Sequence, residues 1–573
     1  MKKTLILILV LSSAVFLFAQ STYAPLGFET YEYMDRFDIK YGKILPVFHT
    51  ANKPYDMKFI AHHNEVLRAS NLTLGKTDKF NSDYLLNDNS EWYDSLKSIS
   101  KKPFLRYFYR EPANLYSIRT KKDEFVLRIN PILDLGTGTE FGNNMLVKNG
   151  RGISLRFSIK KRISVYFMAY TNQLLVPQYI DSMTRSSFPQ AHVPGFGYYK
   201  EYTPALLNRN GKVNKGIDFF DYRGYVTFNI LKHIDVQFGH DKNFIGDGVR
   251  SLFLSDNSAP YLFLKINTRI WKINYQNLFT EFQGQYKRGA DQLIDKKYGA
   301  FHHLSIQPTH WLNIGVFEGV IMSRKKGFDI QYLNPLIFYR SIEQSLGSPD
   351  NSLIGVNFKA NFVRHGQVYG QFVLDEFQFA KFKNKWWGNK YGIQLGAKYI
   401  DIGGIKNLDA QIEFNMVRPY TYTHYKNGVA SLANYSHYNQ PLAHPFGANF
   451  REFIFVARYQ PIPRLNFTFK YLYTAIGYDT SGVNWGANIF LPNDPKTQPL
   501  GGEFGFGNKT IQGVKNSFSI VHLLATYQLR HNVFFDFQFS IRARNSVFDD
   551  EDHTTQYFYI GARVNLPRRT YDF

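Results

Sequence analysis

The chain has 573 residues, with 52 Phe, 40 Tyr, 42 Gly and a mean hydropathy of −0.32, so it is strongly aromatic yet polar on average. That balance suits a transmembrane β-barrel, where only every second residue need be apolar and interfacial girdles raise the aromatic content; a soluble all-β protein is the alternative. The absence of Cys excludes disulfides, thiolate metal sites and a lipid-modified N-terminal Cys, and a net charge of +22 asks for polyanionic partners.

Residues 1–20 read as an export signal that is removed: Lys2 and Lys3, an apolar run from Leu5 to Leu17, then Ala19 before a cut at Gln20. An uncleaved anchor fits less well, because 4–19 is shorter than the roughly 20 residues a spanning helix needs. Export removes nucleic acid from the available polyanions and leaves phosphorylated lipid headgroups and acidic polysaccharide.

Residues 21–124 lack a period of two. Segments 30–41, 56–68 and 78–87 read as short helices, 90–97 as a fourth, with Asp56 as an N-cap after Pro54. In the second, Phe59, Ile60, His63, Val66 and Leu67 fall on one stripe. This is a small helical domain, either periplasmic or plugged against the inner mouth of a barrel. His62, His63 and Glu65 do not make a metal site, since adjacent histidines point to different faces of a helix.

From 125 to 573 the pattern is alternation. Val226, Phe228 and Ile230 are separated by Thr227 and Asn229; Trp271, Ile273 and Tyr275 are separated by Lys272 and Asn274. One face of each such strand meets an apolar medium and the other a wet one. About eighteen segments of this kind can be marked, giving an all-β transmembrane barrel of antiparallel strands behind the helical domain. Short basic turns, as at Lys160-Lys161-Arg162, Lys232-His233 and Thr268-Arg269, alternate with long loops at 172–221, 321–352, 419–448 and 476–516. Outer-membrane barrels have short periplasmic turns and longer extracellular loops, which puts both ends of the strand array in the periplasm. Phe573 reads as the terminal aromatic that barrel-insertion machinery recognises.

Several stretches resemble a known family. YEYMDRFDIKYG and KPYDMKFI in the helical region, GHDKNFIGDGVRSLFLSDNSAP at 239–260, QYLNPLIFYR at 331–340 and YGQFVLDEF at 369–377 are similar to the capsule-assembly (Wzi-type) outer-membrane barrels, most of all to members tied to gliding motility. The resemblance runs over nearly the whole exported chain. It implies an eighteen-stranded barrel with a helical bundle at its periplasmic end, and a role in holding surface polysaccharide or in surface movement. No ligand-contacting residue of the family aligns to a position here.

Candidate sites follow from the pattern. Arg128, Arg156, Lys272, Gln276 and Gln371 fall at positions expected to face the lumen, where Arg would fork onto carboxylates and amides would bond hydroxyls of an acidic polysaccharide. A polar lumen is also expected of any such barrel. Trp386, Trp387, Tyr420, Tyr422, Tyr425 and Tyr438 lie near loops and could stack on pyranose faces; interface girdles use the same residues. Asp375-Glu376 is the one carboxylate pair suited to glycosidic acid/base chemistry, and the acidic run 549–552 lacks calcium-loop spacing. The glycines at 136–142, 246–248 and 501–507 read as turns, since no helix follows them to form a phosphate cradle.

The sequence therefore points to a non-enzymatic outer-membrane surface protein with no cofactor and no metal. It engages exopolysaccharide or capsule in support of gliding motility or adhesion, with membrane lipid and gliding or secretion machinery proteins as further partners and no nucleic acid. A passive porin or gated anion channel is the alternative, and an outer-membrane hydrolase a third class.

Overall fold

The computed structural model describes residues 21–573 apart from 47, 93–105, 121–123, 143, 161, 187–191, 204–214, 286–292, 325–326, 337, 348, 427–428, 431, 481–482, 492–504 and 549–551. Eighteen antiparallel strands close into one barrel. In chain order they are β1 Phe125–Glu140, β2 Asn144–Ile159, β3 Ile163–Leu175, β4 Gly216–Leu231, β5 Ile234–Asp241, β6 Tyr261–Ile270, β7 Ile273–Gln283, β8 Lys296–Thr309 and β9 Leu312–Met322. The second half comprises β10 Asn351–Phe362, β11 Gly366–Glu376, β12 Lys390–Tyr399, β13 Leu408–Val417, β14 Phe450–Ile462, β15 Leu465–Tyr478, β16 Val514–Arg530, β17 Val533–Ser546 and β18 His553–Val564. Closure runs from Tyr557↔Glu140 to Val564↔Leu133, so the ladder has no free edge.

Parity sets the two faces. Phe238, Leu262, Val316, Val356 and Ile560 point out and are exposed, while the residues between them point in and are mostly polar and buried. Gly136 and Gly138 belong to β1 rather than to a turn; a Cβ at Gly136 would lie 1.9 Å from the Tyr559 hydroxyl, so the missing side chain makes room for that ring. The turn expected at Thr268-Arg269 falls instead at Trp271-Lys272, with Trp271 in the left-handed region at φ 54. Arg269 extends β6 because its guanidinium, pointing in, meets Asp235 at 2.5 Å and stacks 4.6 Å from the Phe59 ring.

Three helices fill the short-turn end: α1 Glu29–Tyr41, α2 Met57–Ala69 and α3 Lys76–Asp88. Asp56 caps α2, accepting the Lys58 amide at 2.9 Å, as its place after Pro54 suggests. Of the fourth helix expected over 90–97, only a 3₁₀ turn at Ser90–Trp92 is seen; the remainder, like the export signal 1–20, lies outside the described residues. Ile60 and Leu67 join Phe37, Tyr55 and Tyr84 in a small core, and His63 is buried against Phe48 and Tyr41 with no hydrogen-bond partner at either ring nitrogen among the described residues.

The plug is tied to the wall by charge. Asp38 of α1 pairs with Lys359 of β10 at 2.9 Å. Arg36 reaches Asp78 of α3 at 3.0 Å and, beyond the plug, Asp401 at 2.7 Å and Asp409. Glu32 meets Arg458 at 3.3 Å, and Glu29 meets Arg563.

Two further segments enter the lumen. Residues 242–259, between β5 and β6, fold inward: Phe244 and Ile245 pair with Lys53 and Asn52 of the plug. Leu252, Phe253 and Leu254 are fully buried in an apolar core with Phe301, Phe317, Tyr422 and Tyr435. At the long-loop end the Ser255 amide donates to the Leu442 carbonyl at 2.8 Å. The tail after β18 also turns inward, where the Asp572 carboxylate meets Lys470 at 2.6 Å and Arg542 donates to the Phe573 carbonyl at 3.0 Å. Phe573 therefore does not end a wall strand; the last ladder residue is Val564.

Candidate functional site

The inward residues singled out from the sequence hold the filling of the barrel in place. Arg128 is buried, paired with Glu91 and donating to the Ser90 hydroxyl at 2.7 Å, both at the end of the plug. Arg156 donates to the Met57 sulfur at 2.8 Å and to the Asp88 carbonyl at 3.3 Å. Gln371 accepts the Leu252 amide at 2.8 Å and donates to the Ile245 carbonyl at 2.9 Å, fixing the lumenal segment. Gln276 faces a narrow gap beside plug residues His49 and Asp56. Lys272 does not face the lumen: it is the second residue of the short turn, with its ammonium 5.4 Å from the Trp271 ring.

The loop aromatics divide into two groups. Tyr420 and Tyr422 are fully buried; their hydroxyls donate to the carbonyls of Asn484 at 2.9 Å and Leu252 at 2.8 Å, so protein atoms occupy both ring faces. Tyr438 lies against His437 with ring centroids 6.0 Å apart, and Tyr425 lies outside the described side chains. Trp386 and Trp387 are half-buried at the long-loop rim.

That pair sits in 377–389, read FQFAKFKNKWWGN, between β11 and β12. Asn389 closes the loop by accepting the Gln378 amide at 2.7 Å and donating to its carbonyl at 3.3 Å. Gly388 is required here, because a Cβ would come within 2.4 Å of the Trp386 ring. A second loop buttresses the first: the Trp387 and Asn508 amides donate to the carbonyls of Gly505 at 2.8 Å and Lys385 at 3.0 Å. The indoles lie 5.4 Å apart, Lys381 stands 4.3 Å over Trp386, and Lys390 5.5 Å over Trp387. Phe379, Phe382, Lys383 and Lys385 are exposed beside them, and 377–389 contains no carboxylate. Aromatic faces offer dispersion and C–H contacts to pyranose rings, and the ammonium groups offer charge to acidic substituents.

Asp375 and Glu376 at the base of this loop are both engaged by protein groups. The Asp375 carboxylate accepts the Tyr422 amide at 2.7 Å, while Glu376 accepts from Lys390 at 3.3 Å, and a β-bulge between Leu374 and Glu376 leaves Asp375 without a partner residue in the β11–β12 register. Among the described residues no cluster of His, Asp and Glu could hold a metal ion.

Deeper in the lumen lies a cavity of about 390 Å³, bounded by α1, the 242–259 segment and the C-terminal tail. Its cations are largely engaged: Arg223 with Asp221 at 3.0 Å, Arg250 with Glu452 at 3.0 Å, Lys470 with Asp572 at 2.6 Å. No property of single residues announced this filling. The available signal was its density, with Lys, Arg, Asn, Gln and Glu at inward positions of strand after strand.

The fold is shared with a solved structure described as Wzi, an outer-membrane protein involved in group 1 capsule assembly in Escherichia coli and a carbohydrate-binding β-barrel. The TM-score is 0.56 at 11% identity, with 96% of this chain and 100% of that one covered. Pseudomonas aeruginosa OprD gives a TM-score of 0.40 at 9% identity, covering 78% of this chain and 96% of the other, and Acinetobacter baumannii OccAB2 gives 0.39 at 8%, covering 76% and 97%. A search of curated protein sequences returns no match. The family model for capsule assembly protein Wzi matches residues 150–552, most of the barrel. With closed topology, exposed apolar wall and family match in agreement, this chain is an outer-membrane β-barrel that belongs to the Wzi capsule assembly family.

Proposed function

We propose that the barrel engages acidic exopolysaccharide or capsule through its extracellular loop 377–389, supports gliding motility or adhesion by holding that layer at the cell surface, and performs no catalysis. The observation that carries this reading is the Trp386–Trp387 pair, half-buried and flanked by Lys381, Lys383 and Lys385 in a segment without carboxylates. The description of the Escherichia coli Wzi barrel as carbohydrate-binding agrees with it. Gliding or secretion machinery proteins are the further partners of this reading.

The test is binding of the detergent-purified barrel to surface polysaccharide from its own cells, at low and high salt. Saturable binding that weakens with salt is expected, because surface charges are screened beyond about 10 Å at 0.1 M. Failure to bind at either salt would overturn the reading. The anion channel remains the second reading, favoured by the basic composition. The plug, the 242–259 segment and the tail within the lumen oppose it, and large steady conductance in planar bilayers would restore it.

A further inference from the structure

Among the described residues, alternation on the outer wall breaks across three neighbouring strands. On β9 the outward residues Ile314 and Val316 are exposed, as lipid-facing residues should be, but Glu318, Val320 and Met322 are buried. The same change occurs on the neighbours: Leu304 and Ile306 of β8 are exposed while Ala300 and His302 are buried, and Asn277 and Phe279 of β7 are buried as well. What covers them is the long loop between β9 and β10, which folds down the outside of the barrel.

The covering segment is built to lie there. Its short helix α4 Tyr339–Ser345 and a 3₁₀ turn Ile330–Leu333 place Tyr332, Tyr339 and Ile342 against Phe279, Ala300, Val320 and Met322. The Arg340 amide donates to Glu318 at 3.1 Å, and the Tyr339 ring lies 3.9 Å from that of His302. Arg324 and the Tyr332 hydroxyl converge on Asp350, at 2.6 Å and 2.7 Å, clamping the two legs together. The lowest tie is the Tyr275 hydroxyl, which donates to the Pro335 carbonyl at 2.5 Å. Tyr275 lies two positions above the periplasmic end of β7 and eight below Gln283. At about 3.4 Å per residue and a tilt of about 40°, the segment therefore descends about 20 Å from the extracellular end of that strand.

Among its described residues the exposed surface is mainly apolar from 330 to 338, with Gln331 and Asn334 the polar members, and polar beyond, at Arg340, Ser341, Gln344 and Ser345. Ile330, Leu333, Leu336 and Phe338 are exposed, Leu336 at 89% and Phe338 at 72%, next to the exposed wall residues Leu304, Val316 and Ile354. We propose that residues 328–336 and 338–346 form a membrane-embedded strap whose Ile330, Leu333, Leu336 and Phe338 contact lipid acyl chains, standing in for a stretch of wall that carries His302 and Glu318. Continuity with the surrounding lipid-facing wall selects lipid as the occupant. A carboxylate at a lipid-facing position costs free energy that rises toward the bilayer centre, and the strap removes that cost by giving Glu318 a backbone donor and an apolar cover.

The chain contains no Cys, so single-cysteine labelling needs no background substitutions. Leu336→Cys and Phe338→Cys, each carrying an environment-sensitive fluorophore, are placed in lipid nanodiscs holding one barrel each. Val316→Cys provides the bare-wall reference and Lys509→Cys the water reference; heat-modifiable migration on gels verifies that each variant is folded. Both strap labels should be quenched by nitroxide-labelled phospholipid to within about twofold of the Val316 label and resist aqueous iodide. Quenching by iodide to the level of the Lys509 label would place the strap in water and overturn the proposal. Resistance to both quenchers would show a protein cover, whether a second copy or another part of this chain, and would overturn it too.

Discussion

Lys359 on the barrel wall and Asp38 on α1 form an ion pair 2.9 Å long with both side chains buried, and the Asp38 carboxylate also accepts from Asn361 and Gln367 at 3.2 Å. Breaking a buried pair from one side leaves a charge without compensation, at a cost of about 3–5 kcal/mol. Lys359→Met should therefore loosen the plug while leaving the wall closed. Trypsin should cleave within residues 21–90 in the variant and spare them in the parent, with heat-modifiable migration of the barrel unchanged. Equal protection in both would show that the pair does not seat the plug.

Arg36 joins three carboxylates from two parts of the molecule, Asp78 in the plug and Asp401 and Asp409 at the periplasmic rim. Arg36→Met should release this corner by a similar amount, about 3–5 kcal/mol. Arg36→Lys should recover only part of the loss, since an ammonium cannot fork onto several acceptors. Hydrogen exchange over α1 and α3 separates the outcomes. Exchange unaltered in Arg36→Met would remove the latch.

Burial pushes the pKa of His63 down to about 4, and burial together with the nearby Arg269 charge pushes that of His49 down to about 3. Both rings are neutral in the folded plug. Above the unfolded value of about 6.5 they contribute fully; as pH falls the unfolded chain takes up protons that the plug cannot, and stability drains away toward pH 4 and pH 3. The combined loss is on the order of a few kcal/mol. Protease sensitivity of the plug should accordingly rise between pH 6.5 and 4. His63→Leu should blunt that rise and cost little at pH 7, because neither ring nitrogen has a partner to lose among the described residues. A variant as acid-sensitive as the parent would move the titration elsewhere.

Trp386→Ala combined with Trp387→Ala should weaken polysaccharide binding about tenfold or more, the equivalent of about 1.4 kcal/mol, if the pair is a stacking platform. Tyr420→Phe should leave binding within about twofold, since its buried hydroxyl donates to the Asn484 carbonyl at 2.9 Å. Titration calorimetry on the purified variants reads both. The opposite ranking would shift the site from the loop tip into the mouth.

The eighteen strands were legible because lipid on one side and a wet interior on the other enforce a period of two, and that signal survives in Val226, Phe228 and Ile230 without any structure. The turn at Trp271-Lys272 was not, because Arg269 looks like a turn residue until the acid and ring that receive it are known. Arg128, Arg156 and Gln371 could be assigned to the lumen by parity, but a period of two says nothing of what they meet there. Their partners are Glu91, Met57 and Leu252, which come from distant stretches of chain. Tyr420 and Tyr422 show the same limit in the loops, where composition gives no measure of burial. His302 and Glu318, at lipid-facing parity, carried a legible warning: a charge on that face calls for a cover, and the strap supplies it.

The 242–259 segment bonds to the plug at Asn52 and Lys53 and to the outer loops at Leu442, Tyr422 and Tyr435, where the two tyrosine hydroxyls donate to the carbonyls of Leu252 at 2.8 Å and Phe253 at 2.6 Å. It thus forms a strut through the lumen between the extracellular loops and the plug, braced on the way by the wall residues Gln371 and Glu413. Tension applied to the cell-surface loops, such as a stretched polymer would exert, has a direct route to the periplasmic helices through this strut. In single-molecule pulling from the outer face, the plug is expected to feel the force before any wall strand peels away.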